Sequence, residues 1–117
     1  MREFDLKSRT KTFALRIIKL YTSLPKTGEA QVIGKQVLRS GTSVGAQYRE
    51  ASRSRSNSEF ISKMQSSLQE LDETAYWLEL LVDAGMIKTE KLDDLRKETD
   101  ELIAIFVSSV KTARSKR

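Results

Sequence analysis

From Ile61 to Val82 the apolar residues recur at alternating three- and four-residue steps. Ile61, Met64, Leu68, Leu71, Ala75, Leu78 and Val82 keep that rhythm without a miss. Only an α-helix returns side chains to one face at this spacing, and a seam sustained for so many turns needs another helix to cover it. Continued to Ala84, such a helix is about 40 Å long. The whole chain has 117 residues, enough for one core and not for two. A long helix inside so short a chain leaves room for little except more helices laid beside it.

The rest of the chain supplies them. Phe13, Ile17, Leu20, Tyr21 and Leu24 form one stripe, widened by Ala14 and Ile18, and predict a first helix over residues 10–24. Pro25 stops it, and Lys26-Thr27-Gly28 makes the turn, with Thr27 or Gly28 preceding the next helix. Helix two is the contested element. Each interior glycine costs about 1 kcal/mol against alanine, so Gly41 and Gly45 argue for a loop between residues 39 and 46. Phase argues the other way, because Ala30, Val37, Val44 and Ala51 fall seven apart and Gly34, Gly41 and Tyr48 follow in parallel. A loop has no reason to keep that register. The expectation is one helix over residues 29–54, its small residues admitting a close neighbour; the alternative is a kink near Gly41.

Ser56-Asn57-Ser58-Glu59 has the spacing of a capping box and starts helix three over residues 57–84. Gly85 is placed to end it in a left-handed cap, with Met86 and Ile87 folding back. Thr89 is the expected cap of helix four, residues 89–112, whose stripe is Leu92, Leu95, Leu102, Phe106 and Val110, with Ile103 and Val107 beside it. Residues 111–117 read as a frayed basic tail. Short turns make antiparallel neighbours, so the fold class is all-α, a single up-down-up-down antiparallel four-helix bundle spanning residues 1–117.

The wording between Leu38 and Leu81 is distinctive. Arg39-Ser40-Gly41-Thr42-Ser43-Val44-Gly45-Ala46-Gln47-Tyr48-Arg49-Glu50-Ala51 and Glu59-Phe60-Ile61-Ser62-Lys63-Met64 resemble the four-helix-bundle family of bacterial 23S rRNA intervening-sequence proteins, over roughly residues 10–112. That resemblance implies an intact second helix and a closed homo-oligomeric ring, a pentamer. It also implies kinship with retroelement accessory proteins that use such a ring to bind nucleic acid and a reverse transcriptase. It brings no catalytic residue with it. Many members carry asparagine where this chain has Gln47, which removes any specific contact of that amide from what the resemblance implies.

Chemistry is limited by inventory. There is no cysteine and no histidine, so thiolate nucleophiles, imidazole bases, disulfides and the usual zinc sites are excluded. Glu70, Asp72, Glu73, Glu79 and Asp83 could only form an all-carboxylate metal centre, and most sit off the apolar seam, as a solvated face does. Ser40, Thr42 and Ser43 lack an activating base and read as packing residues. The Gly-x-x-x-x-Gly-Lys-Ser/Thr loop is absent. No catalytic, metal-binding or cofactor-binding residue is assigned, and no cofactor and no enzyme activity are expected. Gln47, Arg49 and Glu50 are expected in a hydrogen-bond network with Tyr48 and Glu59, the sharper alternative being a functional pocket. No run of about 18 apolar residues exists and the N-terminus lacks a signal's apolar core, so the expectation is a cytoplasmic chain with no membrane partner.

Charge is the better lead. Residues 1–63 carry +8, residues 64–110 carry −7 and residues 111–117 add +4. Arg2, Lys7, Arg9, Lys11, Arg16 and Lys19 line the start, Arg49, Arg53 and Arg55 cluster at the turn between helices two and three, and Lys111, Arg114, Lys116 and Arg117 close the chain. In an up-down bundle these groups converge on one pole. Arg9, Lys11, Arg49, Arg53, Arg55, Lys111 and Arg114 are the candidates for binding RNA or DNA through phosphates, with little sequence choice. Phe4 and Tyr48 are the only obvious aromatics near it. The plain alternative is that these cations solubilise helix ends and meet the acids of helices three and four. Tyr76, Trp77, Leu80 and Leu81 exceed what one core requires and are the candidate oligomer interface, or a surface for another protein.

Overall fold

The computed structural model describes residues 3–116, with side chains from Leu6 onward; Arg2, Arg117 and the side chain of Phe4 lie outside the described residues. Helices α1 (Glu3–Ser23), α2 (Gly28–Ser52), α3 (Asn57–Asp83) and α4 (Thr89–Ser115) fill a body of 48 × 21 × 20 Å. Among the described residues there is no strand, and no helix is long and apolar enough to cross a membrane.

α2 is continuous through its glycines. The reason is α1. A β-carbon at Gly34 would stand 2.7 Å from Leu24 Cδ1, one at Gly41 2.7 Å from Ile17 Cγ1, and one at Gly45 3.1 Å from Thr10 Oγ1. Each glycine is therefore a notch into which α1 drops, and the packing gained offsets the cost of glycine in a helix. The close neighbour that these small residues admit is α1. Their partners run Leu24, Ile17, Thr10 against 34, 41, 45, an antiparallel register. α2 and α3 are antiparallel too: Arg39 reaches Glu73 and Glu50 reaches Lys63. Asn57 Nδ2 donates to the Ala113 carbonyl at 2.7 Å, which sets the start of α3 against the end of α4.

The element ends follow their local chemistry. Thr27 caps α2, accepting from the Ala30 amide. Ser56 Oγ accepts from the Glu59 amide at 3.1 Å while Glu59 reaches back to the Arg55 amide at 2.8 Å, a capping box. Gly85 adopts φ +75, and the amides of Gly85 and Met86 bond the Val82 and Leu81 carbonyls, a Schellman ending.

Three features differ from the sequence reading. α1 begins at Glu3, not near residue 10, because buried Leu6 and Thr10 extend the stripe; Thr10 is satisfied by donating to the Leu6 carbonyl at 2.7 Å. α4 runs on to Ser115 in place of a frayed tail, since Ala113 is buried and Asn57 holds its carbonyl. Thr89 lies inside α4, with Lys88 at the N-cap and no side-chain cap bond.

The core seam of α3 is also shifted. Its buried residues are Ile61, Met64, Ser67, Leu71, Thr74, Leu78 and Leu81, while Leu68, Ala75 and Val82 are only partly buried. Hydroxyls take the inner positions because each is bonded. Ser67 donates to the Val44 carbonyl at 2.8 Å, and Ser40 and Thr74 share a bond of 2.8 Å. Small, satisfied groups let α2 and α3 come close.

Candidate nucleic-acid interface

Because α1 and α3 start where α2 and α4 finish, four helix ends meet at one pole. A single cavity there is walled by Leu6 of α1, Ala51 of α2, Asn57 of α3 and Ala113 of α4. Around it stand the expected cations. Lys11, Arg53, Arg55, Lys111 and Arg114 are exposed, Arg49 is half-buried, and among the described residues none of the six enters an ion pair. Guanidinium and ammonium groups left in water at a convex end are free to meet phosphate.

Arg9 is not among them. Its guanidinium bonds Glu98 on α4 through two contacts, Nε to Oε2 at 3.1 Å and Nη2 to Oε1 at 2.6 Å, and reaches Glu101 at 3.0 Å. The Glu98 hydrogen bond is the main reason that its pKa is raised. The backbones of α1 and α4 come less close than those of the other neighbouring helices, and among the described residues this fork is the polar tie between them, worth about 1–2 kcal/mol at its partial exposure. The sequence reading counted Arg9 as a phosphate ligand; its charge is already used.

The expected network around Gln47 is assembled differently. Glu50 pairs with Lys63 of α3 at 2.8 Å, and that bond holds the Glu50 carboxyl below and the Lys63 ammonium above its ordinary value. Arg53 adds to the depression of Glu50. Glu59 serves its own helix cap, and the Tyr48 ring lies against Phe106 with centroids 5.9 Å apart. Gln47 Oε1 is buried with no hydrogen-bond partner. Of the carboxylates weighed as metal ligands, Glu70 and Glu73 face Arg39 at 3.5 and 2.8 Å. Among the described residues no three or more carboxylates gather closely enough to hold a metal ion.

The candidate oligomer surface divides. Tyr76 is 53% exposed and stacks edgewise on half-buried Trp77, with Leu80 partly buried beside them. Leu81 is 0% exposed and belongs to the protomer core. It continues the inward seam of Leu71, Thr74 and Leu78. Further exposed aliphatics that the sequence reading left unassigned are Leu15 at 57% and Val32 at 64%, and Val107, expected beside the α4 stripe, is 48% exposed. Phe60 on the wall of the polar cavity was also missed as an aromatic at the pole. The spacing of Ile105, Ser108, Ser109 and Thr112 marks the face of α4 opposite it, but a small hydroxyl face reads as solvent-facing until a concavity is seen.

Comparison with known proteins adds the following. The family model described as 23S rRNA-intervening sequence protein matches residues 2–108. A crystal structure from Bacteroides thetaiotaomicron, described as a protein of unknown function from the S23 ribosomal protein family, is 39% identical to this chain. The match covers 90% of this chain and 97% of that one with a TM-score of 0.84. No curated protein matches.

Proposed function

Since the chain belongs to the 23S rRNA-intervening sequence protein family, whose described structural relative carries no assigned activity, we propose that it is a non-enzymatic, cytoplasmic, oligomeric adaptor that binds RNA or DNA through its cationic pole. The observation that carries this reading is the convergence of Lys11, Arg53, Arg55, Lys111 and Arg114 on one end of the bundle, where among the described residues none of them forms an ion pair. Point charges and guanidinium forks at a convex end suit a phosphate backbone and carry no base code.

Fluorescence anisotropy with generic duplex RNA and DNA tests it. Five phosphate contacts give a slope of about −4.5 in log K against log salt. Arg53→Glu with Arg55→Glu lowers affinity more than tenfold at low salt and flattens the slope by about 2. Absence of binding by the unaltered protein at low salt removes the reading.

A second reading rests on the exposed Tyr76 and Val107 on the acidic α3–α4 side and the exposed Leu15 and Ile18 among the lysines of α1. We propose that such unlike surfaces meet head to tail between copies and close a ring, a pentamer in the family's manner, with other proteins as the alternative partner. Native mass spectrometry reads the copy number directly. A monomer at every concentration overturns assembly, and an oligomer that ignores nucleic acid leaves a structural module in place of an adaptor.

A further inference from the structure

The cavity at the pole has a volume of about 680 Å³, within the range of small-ligand sites. It lies among the start of α1, the end of α2, the start of α3 and the end of α4. Its apolar wall is Leu6 and Phe60, with Ile105 on the α4 side. Beside Ile105 on the same face of α4 are Ser108, Ser109 and Thr112, whose hydroxyls make no hydrogen bond among the described residues, whereas Thr10, Thr42, Ser43, Thr74 and Thr99 donate back to their own helices. Asn57 stands at the edge, its amide nitrogen fixed on the Ala113 carbonyl, which leaves its Oδ1 as an acceptor. Among the described residues Lys116 is the one charged residue of the lining, and no carboxylate enters it.

An aromatic and aliphatic wall, a row of unused hydroxyls on α4, a fixed amide acceptor and a cation at the rim describe a ligand with a flat apolar body, a polar edge and an anion attached. We propose that this groove takes an unpaired nucleobase of a single strand, stacked on Phe60, its flanking phosphates held by Lys116 and the exposed arginines. The inference rests on the nucleic-acid reading above and deepens it. Duplex binding needs only the charges, while the groove adds a preference for strands with free bases. Rotatable hydroxyls donate or accept as required, so the groove accepts any of the bases.

The probe is an oligoadenylate strand of about ten nucleotides, prepared as RNA and as DNA, compared with an abasic DNA strand and a duplex of equal length. The base-bearing strands are expected to bind at least about fivefold tighter than the abasic strand, which has the same backbone charge. Phe60→Leu is expected to erase that difference and to leave duplex affinity unchanged. Ser109→Phe fills the groove from the opposite wall at a partly exposed position, so it decides the matter if Phe60→Leu unfolds. Equal affinity of the unaltered protein for abasic and base-bearing strands, with duplex binding intact, overturns the groove alone; no binding to any probe overturns the parent reading with it. If Ser109→Phe changes the oligomeric state and spares the base preference, the groove belongs to a protein partner and the proposal falls. RNA tighter than DNA places the 2′-hydroxyl inside the groove, and equality leaves the base as the sole group read.

Discussion

Gly41→Leu is expected to destabilise the fold by about 3 kcal/mol, seen as a lower denaturation midpoint with unchanged slope. The first side-chain atom alone would stand 2.7 and 2.9 Å from the two γ-carbons of Ile17. Ile17 is 0% exposed and branched at its β-carbon, so it has few ways to yield. Gly41→Ala separates the competing effects. Helix propensity favours alanine by about 1 kcal/mol, and overpacking opposes it by about 1–3 kcal/mol, so the net is a loss of about 1 kcal/mol. Gly28→Ala is the control, because nothing lies within 4 Å of the added carbon. An alanine at position 41 that stabilises the protein would show that α1 does not seat in the notch.

Phe106→Ala is expected to cost about 3–5 kcal/mol, the usual range for emptying a buried aromatic site. Phe106 is 0% exposed and its ring meets that of Tyr48 at 60°, joining α4 to α2 across the diagonal of the bundle. Tilted aromatic pairs add about 0.5–1.5 kcal/mol beyond burial. Phe106→Leu keeps most of the volume and is expected to lose less than half as much. Thermal or urea unfolding checks both. A loss below about 1 kcal/mol for the alanine variant would mean that the four helices close over the space.

Signals that repeat survive translation into sequence, and signals of contact do not. The register of Ala30, Val37, Val44 and Ala51 kept α2 whole against its own propensities, because phase reports tertiary packing and propensity does not. Ser56-Asn57-Ser58-Glu59 and Gly85 marked both ends of α3, since caps are local hydrogen-bond geometry. The shift of the α3 seam onto Ser67 and Thr74 was hidden, as polarity alone places a hydroxyl outside; its bond to a facing carbonyl is what admits it. The same blind spot shortened α1 at Thr10. At the pole, the convergence of cations was legible from topology, but the pairing of Arg9 with Glu98 joins residues 89 positions apart and has no local mark. Leu81 and Trp77 lie one turn apart, and the shift of the seam is what puts the first in the core and the second at its edge. The groove at Phe60 arises where the four helix ends meet, a property of no single segment.

The hydroxyls between α2 and α3 bond across the seam to groups that also have a partner within their own helix, which makes the contact tolerant of atom type and strict about bulk. Val44 keeps its helical bond whether or not Ser67 adds a second, so alanine, serine and cysteine are near equivalents at position 67, and likewise at Ser40. Valine or leucine at either would wedge the two rods apart. Divergent relatives can therefore drift freely among tiny residues along this strip, looking unrelated letter by letter while holding the same girth.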